Sequence, residues 1–243
     1  MCNGIRAEIL KIRHDRTSLI CSAIALCVPL LLIIKERYIP SLDDYFSWLM
    51  TTNSLYIWIF SVMSSLFITF LIQREYQDHT IINTLTAYPS RSSFIISKLS
   101  AWALWYAITW IVALIIICIG YRILYPDEFG AAGIKLTIVL LAKSGALSFL
   151  AFTPLLWVAI KQRTSFYPSV LMGLLFTAIM MAGSQASGNM ILVASLIPWS
   201  AVSIASLIPD MTNGYFIVSG ISIVLCAVIG IFLAIYAFSR QDQ

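Results

Sequence analysis

QREYQDHTIINTLTAYPSRSSFIISK, residues 73–98, decides how the rest of the chain is read. It is the longest polar interruption in an otherwise apolar sequence. Before it runs LYIWIFSVMSSLFITFLI (55–72), and after it LSAWALWYAITWIVALIIICIG (99–120). At about 1.5 Å of rise per residue, each flank is long enough to cross a hydrocarbon core about 30 Å thick. The stretch between them therefore sits against water, lipid headgroups or another protein. Ile81, Ile82, Leu85 and Ala87 form an apolar cluster inside charged flanks. At helical spacing Ile81, Ile82 and Leu85 share a face. This predicts a short helix across the membrane surface, with one apolar side in need of a partner.

Composition agrees with a chain that lives in lipid. Of 243 residues, 60% are hydrophobic and 11% charged, with a mean hydropathy of +0.91. A soluble domain is nearer 45–50% apolar and about 25% charged. The net charge of +4 does not point to nucleic acid, because the basic residues fall at the edges of apolar runs rather than along one face. Cys21, Cys27, Cys118 and Cys226 lie within apolar spans and read as small buried hydrophobes, with no disulfide framework.

Working outward, span one is read as Ser18–Ile34, span two as Leu55–Ile72 and span three as Leu99–Gly120. Residues 35–54, with the interface-type aromatics Tyr38, Tyr45 and Trp48, read as the loop between the first two. Residues 134–160 exceed one crossing and contain Lys143, and span five lies near Ser169–Gly183. The segment 190–209 is apolar but split by Pro198, with Trp199 beside it; the last span is Tyr215–Phe238. Ahead of all this, Ile5, Ile9 and Ile12 recur at i, i+4, i+7 among Arg6, Lys11, Arg13 and Arg16. That pattern predicts an interfacial amphipathic helix over 1–17. No small-residue cleavage site follows it, so it is not read as a signal peptide.

Basic residues set the expected orientation. With the N-terminus inside, Arg6, Lys11, Arg13, Arg16, Arg74, Arg91, Lys98, Lys161 and Arg163 are cytoplasmic, and only Lys35, Arg37, Arg122 and Lys135 lie outside. A proline near the middle of a helix costs about 3 kcal/mol, so 190–209 is expected to dip in and out rather than cross. Six spans and two cytoplasmic termini follow.

Several chemistries find no support. The dipeptide Gly-Lys never occurs, so the phosphate-cradling G-x-x-x-x-G-K-[ST] loop is absent. His14 and His79 are far apart, without Cys or carboxylate at metal-ligand spacing. All eleven acidic residues fall outside the apolar spans as read above, which disfavours intramembrane proteolysis or proton pumping. Lys143 is the charge within an apolar run. Either span four runs Ser144–Ile160 and the ammonium reaches the outer interface behind an interfacial segment 134–142, or Lys143 faces a cavity as a path or gate contact. Pro198 and Trp199 are further path or gate candidates. Trp102, Trp105 and Trp110 can line a path, but aromatic-belt or lipid-facing positions are expected.

Glu75, Thr80, Leu85, Pro89, Ser90, Arg91, Phe94 and Lys98 together resemble the first cytoplasmic loop of ABC-2-type permeases. The likeness is to the lantibiotic-immunity and bacitracin-resistance branch, which reads E-x-x-x-G-T, an apolar turn, P-x-S/T-R and a later Lys. Glu8 and Lys11, in RAEILKIR, look like that family's opening Glu-x-x-Lys. His79 stands where the family has Gly, and His adopts a left-handed backbone less easily. The resemblance implies an all-α integral membrane protein, one transmembrane domain over 1–243 in the bacterial plasma membrane. It further implies an interfacial helix over 1–17, a cytoplasmic coupling loop over 73–98 and an outer re-entrant segment over 184–214. It implies no cofactor in this chain, with ATP and Mg2+ held by a separate ABC ATPase homodimer docked through Glu75, Thr80, Ile81, Ile82, Leu85, Pro89 and Arg91. A second permease, identical or sister, would complete the assembly, with membrane lipid around it and an antimicrobial peptide as cargo. The rivals are a small drug, ion or lipid as cargo, and a membrane sensor or accessory protein that transports nothing.

Overall fold

Apolar length dictates the architecture of the computed structural model, which describes residues 8, 10–12, 15–77, 91–162, 165–207 and 213–240. All regular structure among the described residues is helical: α1 (Arg16–Tyr38), α2 (Tyr45–Gln77), α3 (Arg91–Leu124), α4 (Ala131–Phe152), α5 (Pro154–Lys161), α6 (Tyr167–Ser184), α7 (Met190–Leu196), α8 (Pro198–Leu207) and α9 (Asn213–Ser239). Glu8 and residues 10–12 are also helical. Six helical stretches are long and apolar enough to cross a membrane: α1, α2, α3, α4 continued by α5, α6 and α9.

The helices outrun the spans read from hydropathy. α2 has 33 residues and is therefore about 50 Å long, against a core of about 30 Å. It begins at Tyr45, so the supposed loop 35–54 shrinks to 39–44. Tyr45 and Trp48 are not surface anchors but are buried against Tyr121 and Tyr125, with the Tyr45 and Tyr121 rings stacked 3.6 Å apart. Glu36 shapes the shorter loop. Its carboxylate accepts hydrogen bonds from the Ser41 and Leu42 backbone N–H groups at 2.6 and 2.9 Å, closing the turn after α1. Lengthening also brings Glu36 and Glu75 onto spanning helices, which the shorter spans had left outside.

Inside, α2 and α3 share an aromatic core. Phe67 stacks on Trp105 at 4.0 Å, and Phe60 contacts Trp105, Tyr106 and Trp110. Trp102, Trp105 and Trp110 are all buried, contrary to a belt or lipid-facing placement. An indole N–H pointed at lipid would lose its hydrogen bond. Each instead finds an interior acceptor: Ser64 Oγ at 2.8 Å, Ser22 Oγ at 2.9 Å and the Leu141 carbonyl at 3.0 Å. Of the cysteines, Cys21 is buried, whereas Cys27 is exposed on the helix surface.

Two breaks interrupt the later helices. Pro154 lacks the N–H that would continue α4, and the Leu150 carbonyl is bonded instead by the Thr153 N–H and hydroxyl. Ile197, extended before Pro198, separates α7 from α8. With 7 and 10 residues, neither piece reaches across a bilayer alone. Stacking of Phe94 on Phe238 at 5.0 Å puts the start of α3 and the end of α9 at one end of the bundle. That end also carries Arg16, Arg74, Lys98, Lys161 and Arg240, and is called the basic end below.

Candidate functional site

Four consecutive residues at the basic end of α2 tie it to the N-terminal segment, α3 and the end of α5 with its connection to α6. A helix turns about 100° per residue, so Gln73 and Tyr76, three apart, share the face toward the end of α5 and its connection to α6, while Arg74 and Glu75 point elsewhere. Gln73 Nε2 donates to the Ser165 carbonyl at 2.5 Å, in the connection between α5 and α6. Arg74 pairs with Asp15 at 3.4 Å, and Asp15 caps α1 by accepting from the Thr17 N–H. Tyr76 OH reaches the Ile160 carbonyl at 3.5 Å. Glu75 points into a cluster of charges.

The centre of that cluster is Lys98, 1% exposed. Its ammonium donates to Glu8 Oε2 at 2.7 Å and to Glu75 Oε1 at 2.8 Å. Lys11 adds a bond to Glu75 at 2.8 Å and a looser contact to Glu8 at 3.5 Å. Among the described residues, two lysines thus face two glutamates from three segments: the N-terminal segment, α2 and α3. Burial opposes charge on Lys11, but the Glu75 hydrogen bond and the neighbouring carboxylates outweigh it and hold that ammonium above its ordinary value. An ion buried without partners would be prohibitive, so the four groups require one another. The arrangement binds and positions; it offers no nucleophile or metal cage. Among the described residues no group of His, Cys, Asp and Glu is placed to hold a metal.

The sequence-derived site residues divide. Glu8, Lys11 and Glu75 come together as described. Thr80, Ile81, Ile82, Leu85 and Pro89 lie outside the described residues; Arg91 opens α3. Lys143 lies within the continuous helix α4, which starts at Ala131, so a separate interfacial segment over 134–142 does not exist. Its ammonium sits 4.3 Å above the Phe216 ring of α9. Pro198 opens α8, and Trp199 is wedged inward, stacked on Phe176 at 3.9 Å and donating Nε1–H to the Ala151 carbonyl at 2.9 Å. Sequence reasoning counted Lys98 among the family-type residues of the loop but gave it no buried partner, and it gave no role to Gln73 or Asp15. A signal existed for Lys98, a lone cation inside FIISKLSAW that needs a buried anion.

Six of the described helical stretches are thus long and apolar enough to cross a membrane, and charges at one end tie three segments together. Residues 4–182 match the model of the ABC-2 family transporter proteins, and the chain belongs to that family. It is accordingly a non-catalytic transmembrane subunit of an ABC transporter and works with a partner ATPase subunit. Among its relatives is the bacitracin transport permease protein BcrB of Bacillus licheniformis, 27% identical over 223 residues, covering 86% of this chain and 98% of that one.

Proposed function

We propose that the chain is the permease of an ATP-driven exporter that removes a membrane-active antimicrobial peptide, of the lantibiotic or bacitracin kind, from the bacterial plasma membrane. The cargo class rests on similarity along nearly the whole length of the bacitracin permease. Coupling to the ATPase rests on the hub at Gln73–Tyr76, the observation that carries the mechanism. Residues 73–98 dock on an ATPase homodimer that holds ATP and Mg2+, through Ile81, Ile82 and Leu85, with Glu75, Thr80, Pro89 and Arg91 shaping the loop. A displacement there is passed through Glu75 and Lys98 to α2, α3 and the N-terminal segment that carries Glu8 and Lys11. A second permease copy or sister chain completes the path.

The basic end faces the cytoplasm, with both termini inside. The connection after α6 then begins and ends on the outer side, and 184–214 dips into the membrane without crossing. Pro198 and Trp199 are the candidates for contacts along the path or at its outer gate, while Lys143, over the Phe216 ring, is an outer-end residue that transport does not require.

The test is expression with the cognate ATPase in a peptide-sensitive host. Tolerance to bacitracin or a lantibiotic should rise several-fold, and should vanish when the ATPase is catalytically dead. ATPase co-purification with unchanged tolerance to every membrane-active peptide tried would refute the cargo and leave the coupling intact.

A further inference from the structure

A cleft of about 630 Å3 opens where both helix breaks meet α9. Phe176 and Trp199 form part of its wall, and Pro154 and Pro198 border it. The α9 side is a straight stripe, Val218, Ser222, Cys226, Ile229 and Leu233, spaced by three or four residues on one face. From Val218 to Leu233 that stripe is about 22 Å long at 1.5 Å per residue. The cleft is therefore an elongated groove along a spanning helix, and its volume falls within the range of ligand pockets.

Its chemistry is unusually uniform. No charged side chain lines it. The one lining hydroxyl, Ser222, is spent on the Leu196 carbonyl at 2.7 Å, next to the α7–α8 break. At the other break the Leu150 carbonyl is bonded by Thr153, and the Ala151 carbonyl by the Trp199 indole. Carbonyls that helix breaks would otherwise expose are thus satisfied by side chains, and the groove presents dry apolar surface. Tight packing fixes its floor: a Cβ on Gly230 would lie 2.8 Å from Pro154 Cα.

We infer that this groove is a binding site for one acyl chain of a membrane phospholipid. An elongated, uncharged slot running along a spanning helix and open to the surrounding hydrocarbon matches an extended chain in length, direction and polarity. It offers no partner for the peptide groups of a polar cargo. The bound chain wedges α9 against the broken helices and holds Pro154 and Pro198 apart. The site shares Pro198 and Trp199 with the path or gate contacts proposed above, but lipid retention is read without any cargo, so its failure is distinguishable from that of the cargo.

The experiment is native mass spectrometry of the detergent-purified full chain incubated with dioleoyl phosphatidylglycerol. Wild type should keep one lipid per chain under activation that strips the rest. Cys226→Trp, which fills the groove, should lower that occupancy at least tenfold, whereas Ile111→Trp on the exposed face of α3 should leave it unchanged. Equal retention by Cys226→Trp and wild type, with matching melting curves, would overturn the inference. So would a wild type that keeps no lipid, or one whose groove is closed by a second copy, seen as a dimer lost in Cys226→Trp. Should Cys226→Trp fail to fold, a variant with Cys226 as its sole cysteine decides. The same lipid must slow N-ethylmaleimide labelling there several-fold, and unslowed labelling overturns the site.

Discussion

Replacing Lys98 with Met tests the buried charge cluster most directly. The ammonium bonds Glu8 at 2.7 Å and Glu75 at 2.8 Å, and all three side chains are almost wholly buried. Methionine keeps length and volume but leaves two carboxylates facing each other. Lys11, 47% exposed, is screened by water and replaces only part of the lost attraction. Removing one partner of a buried pair costs about 3–5 kcal/mol. At about 2–4 °C per kcal/mol for a chain of this size, melting should fall by about 6–20 °C. Neutralising the three buried members together is different, because buried ions replaced together by neutral groups are often close to neutral in stability, and Lys11 can turn to water. Lys98→Met with Glu8→Gln and Glu75→Gln should therefore recover most of the loss. The assay is thermal unfolding in detergent, followed by tryptophan fluorescence. If Lys98→Met melts within about 1 °C of wild type, or the triple variant is worse than the single, Lys98, Glu8 and Glu75 are not a mutually dependent buried unit.

Leu85→Asp should abolish ATPase pull-down and peptide resistance while the chain still inserts, since burying an aliphatic side chain in the ATPase groove is worth about 1.5–3 kcal/mol; wild-type levels of both would show that this loop is not the coupling element. Single cysteines introduced after Ser239 and after Ser184 should be labelled from inside and outside the cell respectively, and a C-terminal residue reached only from outside would sink the six-span topology. Lys143→Met should leave melting within a few degrees and resistance unchanged, since the contact with Phe216 is worth about 0.5–2 kcal/mol. Lost resistance at normal membrane levels would place Lys143 on the transport path. Trp199→Phe keeps the stacking on Phe176 but removes the bond to the Ala151 carbonyl, and should cost about 1 kcal/mol in thermal unfolding.

What could be read from the chain, and what could not, follows from how far each constraint reaches. Hydrocarbon acts on every residue locally, so the six apolar runs and the break at Pro198 are visible in the sequence itself. Helix ends beyond the bilayer obey a weaker rule: Tyr45 and Trp48 look like interface anchors until Tyr121 and Tyr125, from the other side of the fold, cover them. Glu75 and Lys98, 23 positions apart, flank one loop and can be paired on paper. Glu8 lies 90 positions from Lys98, and only folding identifies it as the second anion. The tryptophans of α3 show that a local rule can mislead when applied singly. Aromatic residues favour interfaces, but Trp102 and Trp105 each face a serine on another helix, at Ser64 and Ser22. A donor and its acceptor buried together satisfy the same hydrocarbon rule as a donor left in the headgroups. The Lys98 cluster is that rule extended to ions: charges enter the interior with partners of opposite sign, and the pairs join the N-terminal segment to α2 and α3.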